Sequence, residues 1–220
     1  MFLALVPGYN EEKNIASVVR RIIPFVDEVV VIDDGSTDET ARAAQQAGAT
    51  VIRHELNRGQ GAALETGHCY ARARNADFVL HFDGDGQFNA EDIPRALEEM
   101  KNSGADILFG SRFLDNRSLI PWTKKKIILP VARLVDRLLG GAKLSDSHNG
   151  FRVLNKRALQ LLKLTQDRMA HASEIPVLAE KNNLRHIEYP VKVSYREYGQ
   201  NGRNGVKILW DLALGRILKS

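Results

Sequence analysis

Asp83 and Asp85 flank one glycine in LHFDGDGQFN, residues 80–89, at the end of an apolar run. Two carboxylates so spaced offer hard oxygen ligands. Such ligands suit Mg²⁺ or Mn²⁺, ions that keep several waters and take their other ligands from a diphosphate. An ion held there neutralises charge growing on a leaving diphosphate. Three other readings compete. A phosphatase nucleophile wants Thr or Val where Gln87 stands, and usually follows the first strand. A calcium loop counted from Asp83 wants Gly at its sixth position and Glu at its twelfth, which here are Phe88 and Pro94. A polar turn that merely ends a strand stays open for an Asp-x-Asp pair taken alone.

Asp33 and Asp34 form a second acidic pair. A carboxylate there can accept the imide N–H of a nucleobase or a ribose hydroxyl. His54, His68 and His81 show no ligand spacing and read as ordinary polar or strand residues. Cys69 is the single cysteine, so neither an internal disulfide nor a cysteine-rich zinc site is available, and a reducing compartment fits. It lies in a helical stretch and reads as packed or unimportant.

The first half of the chain alternates strands and helices. Strands are expected at 2–6, 28–32, 50–53, 77–82 and 106–110. Helices are expected at 11–23, stopped by Pro24; at 36–47, capped by Ser36 or Thr37 and closed by Gly48; at 60–75; and at 90–102. Such alternation argues for a mostly parallel, doubly wound α/β sheet with helices on both faces. In such sheets ligands bind beyond the carboxyl ends of the strands. The clusters PGYNEE, DDGSTD, DGDGQ and GSR all fall there. Four clusters on one edge make a site, where one would be only a turn.

The second half differs. Residues 122–140 place Ile127, Val131, Leu134, Val135 and Leu138 on one face. DSHNGFR follows, then helices near 156–164 and 172–182 and a strand near 185–193. The last segment is amphipathic, with Val206, Leu209, Trp210, Ala213 and Ile217 on one stripe. No repeat or low-complexity linker marks a second domain.

The chain has 220 residues, 44% hydrophobic and 26% charged, which suits one globular domain. The net charge of +4 is too small, and aromatic-studded basic motifs too absent, for a general nucleic-acid binder. The N-terminus reads as a first strand and not as a signal peptide. No apolar stretch approaches the roughly 20 residues that span a bilayer.

Taken together, PGYNEE, DDGSTD, NRGQGAA, DGDGQ, GSR and DSHNGFR resemble the family 2 glycosyltransferases, in the branch of dolichyl- or polyprenyl-phosphate sugar synthases. The resemblance covers roughly residues 2–155, with six segments in order. It implies a GT-A fold over residues 1–220. Residues 1–115 would be the nucleotide-sugar half, 116–200 the acceptor-side half, and 201–220 an amphipathic C-terminal segment. It also implies an inverting, metal-dependent transfer from a nucleotide sugar, of GDP-mannose or UDP-glucose type, to a lipid phosphate. Pro7, Tyr9 and Glu11 match the nucleotide-binding start and Asp34 the base-binding aspartate. Asp83 and Asp85 match the metal-binding pair, with Gln87 after it. Arg112 and Arg152 match arginines around the acceptor phosphate and diphosphate, work that suits the planar guanidinium fork. Two departures stand out. Gln60 occupies a position where many relatives carry Lys, which turns attention to Arg58. GQNGRN replaces a Gly-x-Ser-Lys ending, which leaves Arg203 as the cationic substitute.

A phosphate acceptor is already anionic and needs positioning more than a base. A hydroxyl acceptor would need one, for which Asp146 or Glu174 could serve, although a capping or salt-bridge role suits Glu174 equally. His148 and Asn149 read as substrate contacts or as loop-shaping groups. Lys124–Lys126 and the two amphipathic segments resemble an interfacial element at the cytoplasmic face of a membrane. The bland alternative is packing on the domain. A third is docking on a small membrane-protein partner. Competing functions are transfer to a saccharide hydroxyl and an inactive nucleotide-sugar-binding regulatory subunit. A nucleotidyltransferase would want a Gly-rich, Arg-containing loop after the first strand, which PGYNEE is not.

Overall fold

The structure, a computed structural model, describes residues 1–115, 117 and 144–194. The expected amphipathic segments at 122–140 and 206–217, Lys124–Lys126 and Arg203 lie outside the described residues.

The chain runs β1 (Phe2–Gly8), α1 (Ile15–Ile22), a 3₁₀ turn (Ile23–Phe25), β2 (Glu28–Asp33), α2 (Thr40–Gln46), β3 (Thr50–Arg53), α3 (Gln60–Ala73), β4 (Phe78–His81), α4 (Asp92–Ser103) and β5 (Ile107–Ser111). After residue 143 come β6 (Arg152–Asn155), α5 (Lys156–Leu161), α6 (His171–Lys181) and β7 (His186–Pro190). The strands form one mixed sheet in the order β3-β2-β1-β4-β6-β5-β7. All described pairings are parallel except those of β6, which is antiparallel to both β4 and β5.

Every residue of β1 is buried, because helices cover both faces of the sheet. Alternate residues then feed two cores. Ala4, Val6, Val29, Val31, Leu80 and Val153 face α1 and α4. Leu3, Leu5, Val30, Ile32, Val79 and Phe109 face α3, α5 and α6. The four apolar positions of α1, Ile15, Val18, Val19 and Ile22, are all fully buried.

The order turns back at β1: β2 and β3 lie on one side of it and β4 on the other. This is the switch point at which open α/β sheets bind ligands. The strand at 152–155 was not expected from sequence. It matters because an antiparallel strand brings its first residue, not its last, to the carboxyl edge of its parallel neighbours. Arg152 reaches the site that way.

Two helix starts differ from the expected positions. Ser36 and Thr37 do not cap α2. Ser36 Oγ accepts the Asn10 N–H at 2.9 Å, and the Thr37 N–H donates to Asn10 Oδ1 at 2.9 Å. Both residues tie the β2 loop to the β1 loop, and α2 begins only at Thr40. Likewise α1 begins at Ile15. Glu11 opens a turn in which its carbonyl accepts the N–H groups of Asn14 and Ile15.

Candidate active site

The carboxyl ends of β1, β2, β4 and β5 and the start of β6 meet at one edge. The loop after β4 carries Asp83 and Asp85. Beneath it Phe82, Phe88 and Phe151 pack edge to face, with ring centroids 5.5–6.1 Å apart. The segment after β7 braces it from outside: Ser194 donates its N–H to the Gln87 carbonyl at 2.9 Å, and Phe88 bridges Val193. The loop is thus held by packing and backbone bonds, with its carboxylates left partly exposed.

Asp83 accepts a hydrogen bond from the Gln60 amide nitrogen, Nε2, at 2.8 Å. Its carboxyl is pushed up to about 6, first by burial and then by the Asp85 charge, against the opposing pull of Arg152. Asp85 is raised by burial too, and takes the Gln87 N–H at 2.9 Å. Glu11 joins this acidic group. Burial raises its pKa, and the Asp85 charge adds to the rise. Asp83 and Asp85 thus crowd each other and Glu11 feels the Asp85 charge, although among the described residues no three histidine, cysteine or carboxylate side chains gather closely enough to hold a metal ion by themselves. Gly150 presses on Asp83 from the bend before β6: a Cβ there would lie 2.1 Å from Asp83 Oδ2.

Arg112 follows β5 and closes on Asp146. Its Nε and one terminal nitrogen each donate to Asp146 at 2.6 Å, and its backbone N–H adds a third bond at 3.0 Å. Burial alone would raise Asp146, but Arg112 and Asn149 hold it below its ordinary value. Arg152 is only 1% exposed and gives one terminal N–H to the Ser147 carbonyl at 3.2 Å. Burial lowers it to about 10, even with Asp83 and Asp146 near it.

Asp34 is also committed within the chain. Its oxygens accept the N–H groups of Arg58 at 3.0 Å and Gly59 at 2.6 Å, and His54 Nδ1 lies 2.8 Å away. A carboxylate has about four lone-pair sites, so one remains for a ligand. This clamp shapes the turn into α3. Gly59 sits there at φ +101°, which only glycine adopts readily, and a Cβ would lie 2.6 Å from the Asp167 carbonyl. Arg58 points outward, 3.8 Å from Asp167. Pro7 is buried in β1, while Tyr9 just beyond it is 47% exposed at the same edge.

The family model described as "Glycosyl transferase family 2" matches residues 4–162. The chain belongs to glycosyl transferase family 2. A UDP-N-acetylglucosamine–dolichyl-phosphate N-acetylglucosaminyltransferase of Methanococcus voltae is 32% identical to it, over 97% of this chain and 96% of that one. The polyprenol monophosphomannose synthase of Mycolicibacterium smegmatis is 27% identical, over 94% of this chain and 82% of that one. Among solved structures, glucosyl-3-phosphoglycerate synthase from Mycobacterium tuberculosis, in complex with Mn²⁺ and UDP-glucose, shares the fold. Its TM-score is 0.72 at 18% identity, over 95% of this chain and 76% of that one.

Within this family 2 site, several groups were not singled out from sequence as site residues. Gln60 was noted only as a departure, yet its amide holds Asp83. His54 clamps Asp34 and reaches Thr66 Oγ1 at 2.9 Å. His68 and His81 are buried and stacked, with their Nε2 atoms 2.7 Å apart. Glu174, weighed as a base, caps the loop before α6 instead, accepting the N–H groups of Thr165 at 3.0 Å and Gln166 at 3.0 Å. His148 lies 3.3 Å from Ser173 Oγ, and Asn149 donates to Asp146 at 3.0 Å, so both shape the loop before β6. A separate cleft of about 770 Å³ opens at the opposite edge of the sheet, between Met1, Phe25, Phe78 and Lys156. Its lining also holds Asp27, Asp77, Lys101 and Arg157, but none of the motifs at the carboxyl edge reaches it.

Proposed function

We propose that this chain transfers a hexose from a UDP- or GDP-linked sugar to a polyprenyl phosphate, in one in-line displacement that inverts the anomeric carbon. The printed names of its relatives support a lipid-phosphate acceptor. The observation that carries the reading lies in the structure. The two carboxylates that the sequence offers as bases for a hydroxyl acceptor are both engaged elsewhere, Asp146 on Arg112 and Glu174 on the Thr165–Gln166 turn. An acceptor that is already anionic needs neither.

Asp83 and Asp85 would hold Mg²⁺ or Mn²⁺, with Gln87 beside them. The donor set fits, since these are partly exposed hard oxygens whose mutual repulsion a cation relieves. When bound, the ion offsets charge on the departing diphosphate. Tyr9, Glu11 and Asp34 border the space for the nucleotide, with Pro7 shaping the end of β1. Arg58 supplies positive charge at its rim. Arg112 sits partly exposed at the acceptor side. Arg152 contributes its charge from behind Asp83, through a medium less screening than water. Arg203 would add a cation from the C-terminal segment. Lys124–Lys126 and the amphipathic stretches would seat the enzyme on the cytoplasmic face of a membrane, on lipid or on a small membrane-protein partner. Among the described residues no helix is long and apolar enough to cross a membrane.

The test is a competition. The full chain is given Mn²⁺, a nucleotide-sugar panel, a short polyprenyl phosphate and a soluble saccharide together. The lipid is expected to be glycosylated and the saccharide spared. Glycosylation of the saccharide with the lipid untouched would overturn the reading.

A further inference from the structure

Behind the site runs a file of buried polar side chains on the α3 side of the sheet. Glu65 and His68 come from α3, His81 ends β4 and Arg152 begins β6. The Nε2 atoms of His68 and His81 are 2.7 Å apart. Two N–H groups cannot face each other across that distance, so one Nε2 donates and the other accepts. Glu65 decides which. Its carboxylate lies 3.4 Å from His68 Nδ1, long for a hydrogen bond but close for a charge. It favours the proton on that Nδ1. His68 then offers a bare Nε2, His81 donates from its own Nε2, and His81 Nδ1 is left as an acceptor.

The Nδ1 atoms of His68 and His81 are both buried without a hydrogen-bond partner among the described residues, and so is Arg152 Nε; of the two histidines only His68 has a carboxylate beside its Nδ1. His81 and Arg152 are directly opposed across the β4–β6 pair, so their side chains stand on one face of the sheet. His81 Nδ1 is thus an acceptor and Arg152 Nε a donor; the two are not bonded to each other directly, and one bridging water would satisfy both. The reverse tautomer would aim an N–H at a guanidinium, two buried donors with no acceptor between them, which is costly.

We propose that Glu65 and His68 are positioning residues for the transfer site: they fix His81 in the tautomer whose bare Nδ1 faces Arg152, and so hold that charge beneath Asp83. This rests on the reading that Arg152 serves the transfer.

Histidine tautomers are read by ¹⁵N NMR on the full chain labelled at histidine. His81 is expected with a bare Nδ1 and a protonated Nε2, and His68 with the opposite pattern. A protonated Nδ1 on His81 in the wild-type chain would overturn the proposal. Kinetics add a second readout. His68→Phe fills the space without the bond and is expected to lower kcat roughly tenfold with little change in donor KM, the pattern of a lost transition-state contribution. His68→Gln presents a carbonyl to His81 and an amide to Glu65, and is expected to recover most of that loss. Equal kcat in the two variants would overturn the proposal. Arg152→Gln, which removes the charge, separates the two readings. If it leaves transfer intact while the tautomers are as expected, the role of Arg152 in the proposed function fails. If it abolishes transfer while His81 carries the wrong tautomer, only the positioning proposal fails.

Discussion

Gly150 shows how tightly one residue can set another. It stands just before Arg152, and its missing side chain is the room in which the Asp83 carboxylate lies. A methyl group cannot fit at 2.1 Å from Oδ2, so Gly150→Ala must swing Asp83 away from Asp85 and Gln60. The fold has other support there: Gly110 donates its N–H to the Phe151 carbonyl at 2.8 Å, and Phe151 remains in its aromatic cluster. Gly150→Ala is therefore expected to lower kcat by about two orders of magnitude while the protein still melts cooperatively, a loss of the size that misplacing a catalytic group causes. Asp85→Ala sets the reference and should abolish measurable turnover. Steady-state rates and thermal melts of the two variants check both statements. Unchanged turnover in Asp85→Ala would refute its role at the metal. The arginines carry a related lesson. Arg112 is the accessible one, held in a fixed fork by Asp146, whereas Arg152 acts through burial and field. Their similar sequence settings do not distinguish these roles, because exposure depends on which strand each one flanks.

At the scale of elements, α3 links the site to its support. Its first residue reaches Asp83, and one and a half turns later Glu65 ties it to the loop before α6. Glu65 takes the Leu164 N–H at 2.8 Å and pairs with Arg72 and His68. Burial alone would raise Glu65, but these bonds outweigh it and hold its pKa at about 2, against an ordinary 4.5. A carboxyl depressed by folding stabilises the protein above its unfolded pKa. That stability is lost as pH falls from about 4.5 toward 2. The loss is on the order of 2–3 kcal/mol for a shift of this size. Denaturant unfolding of the wild type should show that decline across the window, and Glu65→Gln should flatten it. Parallel declines in both would contradict the assignment. The elements themselves were largely legible. Continuous apolar runs announced β1, β2 and β4, and the spacing of Ile15, Val18, Val19 and Ile22 announced α1. What escaped was β6, four residues whose place between β4 and β5 depends on long-range pairing. With it went the burial of Arg152. The Glu65–His68–His81 file escaped for a similar reason: Glu65 and His68 neighbour each other on α3, but only the return of the chain into β4 stacks His81 on them.

On the scale of the whole molecule, the sheet gathers every site residue from the described part of the chain at one edge, and α3 and α6 close it from one face. Strands from both sides of the 116–143 segment complete one sheet, so Asp83 and Asp85 share a base with Arg152. The motifs PGYNEE, DDGSTD, DGDGQ and GSR were readable as one site because each ends a parallel strand. The clamps on Asp34 and Asp146 were not, since the first uses backbone N–H groups of Arg58 and Gly59 and the second joins Arg112 to a residue 34 positions away. The account's central claim is a single displacement onto a lipid phosphate. The most direct test incubates the full chain with Mn²⁺, an α-linked UDP- or GDP-hexose and a short polyprenyl phosphate. The product is then identified by mass, and its anomeric configuration by NMR. A β-linked hexosyl phosphodiester of the lipid is the expected result. An α-linked product, or donor turnover with no sugar on the lipid, would contradict the account.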